Sequence, residues 1–201
     1  MANFTRVGYG QVEPNQLSAQ KTGQIYTSLP LDSAVDVLQN GEFMYYDYKT
    51  GTVTADATVG EPMLVFNEIK LYEPYWQTSY KDFAMIRVGD NYVTSRLATE
   101  TYGDGATNVG APDANHTEYG YRMDGIAPRL FKTNIGDIYT TNMVKTGVEY
   151  EVGDLLAPAK DTTSNTLVLE EAAGTTGMLW QVAKVYTMPD GQPGLKLQRV
   201  Q

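Results

Sequence analysis

His116 is the chain's single histidine, and Asp113 and Glu118 stand close to it in sequence. An imidazole with two carboxylates could hold a metal ion or move a proton. No second histidine and no cysteine is present to complete a typical zinc set. The stretch "DGATNVGAPDAN" just before His116 offers carboxylate and amide oxygens, yet lacks the Asp-rich calcium loop with its terminal glutamate. A histidine in so polar a loop reads as solvated, and no metal is expected. Serine, histidine and aspartate all occur, but without a nucleophile-elbow motif and with one candidate base. Gly8 and Gly10 form "GYG", which no glycine-lysine-threonine follows, so it is not a phosphate-binding loop. Carboxylates are plentiful, and none is singled out as a pair at catalytic spacing. No catalytic residue and no cofactor is expected, and the chain reads as non-enzymatic.

The aromatic residues are a different matter. "YEPYWQTSYKDF" gathers Tyr72, Tyr75, Trp76, Tyr80 and Phe83 into one connection. Rings with polar tips suit protein interfaces and sugar platforms; the bland alternative is that they cover the end of their own domain. The net charge of −9 repels phosphate backbones, so nucleic acid is not an expected partner. There is no basic amphipathic stretch and no apolar run long enough to span a bilayer, so a membrane is not expected either. "MANFTRVGYG" lacks the plan of a signal peptide, and synthesis in a cytosol is the expectation.

The elements that would position such residues are strands. Fifteen tyrosines, nineteen glycines and many threonines favour strands and turns over helices. "GQIYTS" at Gly23 returns as "GDIYTT" at Gly136. "GEF" at Gly41 pairs with "GDL" at Gly153, "MLVFNEIKLY" at Met63 with "MLWQVAKVY" at Met178, and "IRV" at Ile86 with "QRV" at Gln198. These matches are collinear and drift by only a few residues, as loop insertions would produce. Two copies of one module are therefore expected, at residues 20–88 and 133–201. In the first, "GEFMYYDY", "KTG" and "TVTAD" spell strand, tight turn, strand. "PMLVFNEIKLY" and "GMLWQVAKVY" read as well-buried strands, and "FAMIRV" as the last strand of the first copy. "MPDGQPG" is a turn leading into "LKLQRV". "LDSAVDVLQN" is read as holding a short helical turn, and its counterpart "MVKTGVEYEV" as more strand-like. The fold expected is all-β: two related small antiparallel barrel or sandwich modules.

Two segments are unduplicated. Residues 1–19 have too little apolar content to fold alone and read as an N-terminal arm or exchanged strand, against the alternative of a strand within its own domain. Residues 89–132 form a loop-rich connection punctuated by Gly103, Gly105, Gly110 and Pro112.

"GEFMYYDYKTGTV", "GEPMLVFNEIKLYEPYWQTSYKDFAMIRV", "YEVGDLLAPAKD" and "GMLWQVAKVYTMPDGQPGLKLQRV" resemble virion structural proteins of tailed bacteriophages, and most of all the small capsid decoration, or head-associated, proteins. The likeness is one of texture, with glycine-acid strand starts and short β-modules, and it runs from about Gly23 onward. The resemblance implies a non-enzymatic protein bound in many copies to the capsid exterior, with the major capsid protein as partner and self-association, a trimer included. It also implies residence on the virion after synthesis in the host bacterial cytoplasm. Phe4, Arg6 and Tyr9 on the arm, with Tyr75, Trp76 and Tyr80, are the expected partner contacts. A tail or baseplate part and a glycan-binding β-module using Trp76 are the alternatives.

Overall fold

A computed structural model describes residues 4–6, 10–35, 37–67, 85–87, 127–161, 165–189 and 191–201. The chain is all-β, 6% helical, with its antiparallel strands curled into a half-barrel. The strands are β1 (Val12–Gln16), β2 (Ile25–Tyr26), β3 (Val37–Gln39), β4 (Phe43–Asp47), β5 (Thr52–Thr54), β6 (Met63–Val65) and β7 (Met85–Arg87). They continue with β8 (Leu130–Phe131), β9 (Ile138–Thr141), β10 (Leu155–Asp161), β11 (Thr166–Glu171), β12 (Trp180–Thr187) and β13 (Pro193–Arg199). One short helix, α1 (Ser18–Thr22), follows β1, and a single helical turn covers Ala57–Val59.

The main sheet runs β1-β9-β13-β12-β10-β11-β4-β6-β8-β2, with β5 paired to β4; β3 and β7 form a separate ribbon. Alternation drives the strands. In β13, Leu195, Leu197 and Arg199 are buried, while Lys196 and Gln198 face the other way. In β12, Trp180 and Val182 turn inward and Gln181 and Ala183 outward; beyond a bulge after Val182 the strand is largely exposed. That outer half departs from the well-buried strand expected of "GMLWQVAKVY". The hairpin read at "KTG" forms as expected, joining β4 to β5. So does the turn at "MPDGQPG", where Met188 N–H donates to Gln192 O at 2.9 Å ahead of β13.

Strands from both halves share one sheet and one apolar cluster, so two separately closed modules do not form. Trp180, fully buried, meets Tyr139 edge-on at 4.9 Å and Phe43 of the first half at 6.0 Å. Three further expectations are corrected. Residues 85–87 do not close the first half: β7 pairs with β3, and β8 takes the place beside β6 and β2. "LDSAVDVLQN" holds a single hydrogen-bonded turn, Val35 N–H donating to Asp32 O at 3.0 Å, and then β3, where Val37–Gln39 finds a pairing partner in β7. "MVKTGVEYEV" is no strand; Val144 makes only an isolated bridge to Leu169. The segment at residues 12–16, read within an arm, is β1 of the chain's own sheet, paired with β9.

With β1 and the β3–β7 ribbon set aside, the remaining strands fall into two runs of like order. Read from the first strand of each, the order is β2-β8-β6-β4-β5 and β9-β13-β12-β10-β11. A parallel bridge joins Leu31 to Val53 in one and Val144 to Leu169 in the other. The next amide along, Asp32 or Lys145, donates to the carbonyl of Val53 or Leu169, at 2.9 Å in both cases.

Tyr139 Oη and Trp180 Nε1 are buried without a hydrogen-bond partner. An unmet buried hydroxyl carries its full desolvation cost. Tyr139→Phe keeps the ring contact and removes that cost, so the variant is expected to gain about 1 kcal/mol of stability in urea unfolding.

Candidate functional site

One turn is used three times. In Gln39–Glu42, Asn134–Asp137 and Glu151–Asp154 the third residue is a glycine at positive φ (+92°, +94° and +104°), where a side chain would be strained. The acid at the fourth place donates its N–H to the first carbonyl, at 3.3, 3.0 and 3.3 Å in that order. Its carboxylate accepts the first residue's N–H, from Gln39 and Glu151 at 2.7 Å and from Asn134 at 2.9 Å. The glycine N–H and the acid's carbonyl then both bond a single residue of the adjoining strand: Val65, Arg199 or Val182. Short acidic residues after glycine thus start β4, β9 and β10 with their polar groups satisfied.

Two of these turns fasten the N-terminal segment. Gly10 N–H donates to Gln39 Oε1 at 2.9 Å. Ser18 donates its N–H and Oγ–H to the two oxygens of Asp137, at 3.0 and 2.9 Å, and accepts from Asn134 Nδ2 at 2.7 Å. Between them, Gln11 N–H donates to Asn142 Oδ1 at 2.7 Å, Thr141 Oγ1 to Gln11 O at 2.6 Å, and Thr140 Oγ1 to Asn15 Oδ1 at 2.7 Å. Phe4 lies further out, exchanging backbone bonds with Val148 and Gly147 at 2.9 Å and setting its ring edge-on to Tyr150 at 5.7 Å. Phe4 is thus buried in its own chain. Pro14 within β1 has no N–H to offer a further strand, which blunts this edge of the sheet.

Arg6 reaches a groove of about 270 Å³ whose lining includes Lys145, Lys160, Asp161 and Glu170. Its guanidinium rests on the Met143 sulfur. Lys145 and Glu170 form an ion pair at 2.6 Å, and the bond to Glu170 holds the Lys145 ammonium above its ordinary range. The pair is exposed, so it adds little stability. Arg6 and Asp161 also act on the buried Glu42. Burial pushes the Glu42 carboxyl up to about 7, against the opposing pull of the Gln39 N–H, the Thr166 hydroxyl and Arg6.

Tyr9, Tyr75, Trp76 and Tyr80 lie outside the described residues, as do His116, Asp113 and Glu118. Of the expected contacts, Phe4 and Arg6 are therefore the two whose places are known. Among the described residues no group of three or more His, Cys, Asp or Glu could hold a metal, and no helix is long and apolar enough to cross a membrane. Tyr48, 74% exposed, was passed over in the sequence. It stands at the tip of the β4–β5 hairpin, where the Asp47 carboxylate accepts Lys49 N–H at 2.7 Å and Thr50 Oγ1 at 2.9 Å. Tyr48 packs on Tyr46, and Tyr46 on Tyr26, with ring centroids 5.0 and 5.1 Å apart. The crowding of tyrosines around a turn in "YYDYKTG" is the signal that could have found it. Comparison with protein-family models, curated proteins and solved structures gives no match.

Gly10 is where the segment approaches the sheet most closely. A Cβ there would strike the Asn40 carbonyl oxygen and the end of the Met143 side chain. Gly10→Ala is expected to lift the segment and cost about 1–3 kcal/mol, the usual range for overpacking. Hydrogen exchange should show faster exchange at Phe4 and Gln11, with the β12–β13 amides unchanged.

Proposed function

We propose that the chain is a non-enzymatic capsid decoration protein of a tailed bacteriophage, binding the outer capsid surface and bracing contacts between major capsid subunits. The observation that carries this reading is the N-terminal segment. It runs along β9 as the edge strand β1, held by backbone pairing, a row of side-chain hydrogen bonds and the buried Phe4, Val12, Leu17 and Ala19. Such a fastening can be exchanged for equivalent contacts on a neighbour at small net cost, because each bond lost is replaced. An acidic chain suits the outside of a particle better than its DNA-facing side. Phe4 and Arg6 would then serve as partner contacts once the segment moves, and many lattice copies would multiply a modest affinity.

The fold reading that accompanies this proposal is a doubled β-module, residues 20–88 and 133–201. It is supported by the common strand order, the paired parallel bridges and the repeated glycine-acid turns. A glycan-binding role is the second reading, favoured by Tyr48 on its braced hairpin. A glycan array with no bound sugar, or binding unchanged in Tyr48→Ala, would remove it.

The test of the main reading is sedimentation of purified protein with mature phage heads, followed by heating. The protein is expected to co-sediment and to raise the temperature at which heads release DNA, and a chain lacking residues 1–17 should bind at least tenfold more weakly. Labelling found only on the tail, or no binding to heads at any concentration, would overturn the decoration reading.

A further inference from the structure

The outer half of β12 is a bare sheet edge. On the β10 side its last bonds tie Val182 to Gly153 and Asp154. A bulge between Val182 and Lys184 follows, and beyond it β12 is paired on one side, to β13. Met188 N–H donates to Gln192 O, and two residues back Tyr186 lies opposite Gly194. Bonded and non-bonded pairs alternate along an antiparallel ladder, so Val185 and Thr187 turn their N–H and C=O groups away from β13. Leu195, opposite Val185, agrees with this: it pairs onward with Thr141 of β9. Among the described residues no strand pairs with Val185 or Thr187 on the free side.

The sheet's other edges are protected. Pro14 interrupts β1. Pro158 of β10 lies opposite Leu169, whose carbonyl bonds Lys145 on the far side of β11, so the missing N–H of Pro158 is one that would face outward. β2 is two residues long, and Val53 of β5 donates to Pro30 O and accepts from Asp32 N–H. The outer half of β12 has no proline, and its single charge, Lys184, lies over the Tyr186 ring at 5.9 Å. Val185 is 47% exposed there, and Val152, 67% exposed, flanks it in the turn that bonds Val182.

We propose that this edge is a self-association surface: β12 of one copy pairs antiparallel with β12 of a second copy, about a two-fold axis at Val185.

The strand complements itself in that register. Val185 meets the second copy's Val185, and the two exchange N–H to O bonds. Lys184 falls opposite Tyr186, so the cation–ring contact already made within one strand recurs across the pair, and no like charges face each other. Thr187 falls opposite Ala183, the residue that the bulge leaves without a partner in β13. An axis at Thr187 would set Val185 against Pro189, which has no N–H. An axis at Lys184 or Tyr186 would need backbone groups already bonded to β13, and at Lys184 it would oppose two ammonium groups. A foreign strand would require none of this self-complementarity, which is why a second copy is the occupant. The contact is isologous and closes on itself, so it gives a dimer and no fibre.

The inference concerns the free chain and does not depend on the capsid reading. Sedimentation equilibrium of the purified full chain tests it, and a passage from monomer to dimer with rising concentration is expected. Val185→Lys and Val185→Glu each set like charges against one another at the axis, and each should weaken the dimer by about tenfold or more. Mixed in equal amounts, the two variants should associate again, because Lys then faces Glu. A purely structural role for Val185 would give no such rescue. Hydrogen exchange of the unaltered chain decides the matter even if a variant does not fold: the Val185 and Thr187 amides should gain protection as concentration rises. A chain that stays monomeric at every soluble concentration, dimerisation unchanged in Val185→Lys, or amides indifferent to concentration would overturn the proposal.

Discussion

Everything else in the structure depends on the place where the sheet passes from one half of the chain to the other. That passage is narrow: Leu167 of β11 opposite Phe43 of β4. Behind it the Phe43 ring meets Trp180, which meets Tyr139 in turn. A fully buried tryptophan is worth several kcal/mol, about 3–5 when truncated. Its indole is placed so that neither half can complete its interior alone. Short strands such as β2, β6 and β8 would be marginal in isolation. Joined through this contact they become part of one curled sheet with a common core.

The same junction explains the unusually polar interior. Where two halves and the N-terminal segment converge, backbone groups at strand starts are buried and must be satisfied. Asn40, Asn67, Glu42, Thr141, Asn142 and Thr166 all lie there, essentially out of water. Asn40 and Asn67 show how it is done: Asn67 N–H donates to Asn40 Oδ1 at 2.7 Å and Asn40 Nδ2 to Asn67 O at 3.2 Å, side chains standing in for a ladder. Hydrogen bonds of this kind specify geometry more than they add stability. They hold the N-terminal segment in register on β9, beside the backbone pairing of β1 and the burial of Val12, Leu17 and Ala19. Glu42 is the one member of that set that carries a titratable proton.

Much of the strand content was legible from local pattern. Alternation in "TLVLEE" and "LKLQRV", and turn chemistry in "KTG" and "MPDGQPG", marked β11, β13 and two hairpins, because side-chain period and glycine conformation are local properties. The misses share a cause. "FAMIRV" looks like a closing strand, but its pairing partner is β3, and pairing is decided by distant residues. β8 is two residues long and carries almost no local signal. Of the expected contacts, Phe4 and Arg6 were found as residues of interest on an arm, while their burial and groove position depended on where β9, β10 and the stretch between them came to lie. Glu42 was visible as part of a glycine-acid strand start; that its carboxyl would be buried was not.

By itself the sequence determined that this chain builds strands and tight turns, and that glycine-acid pairs begin some of those strands. Those features depend on φ, ψ and side chains within a few residues of one another. Tertiary structure alone decided that the halves share one core, that β8 rather than residues 85–87 lies beside β2, and that the N-terminal segment lies along its own sheet. It also decided that the Glu42 carboxyl would be buried, which pushes its pKa up to about 7. Burial and pairing are sums over contacts far apart in the chain, and no stretch of a few residues contains them.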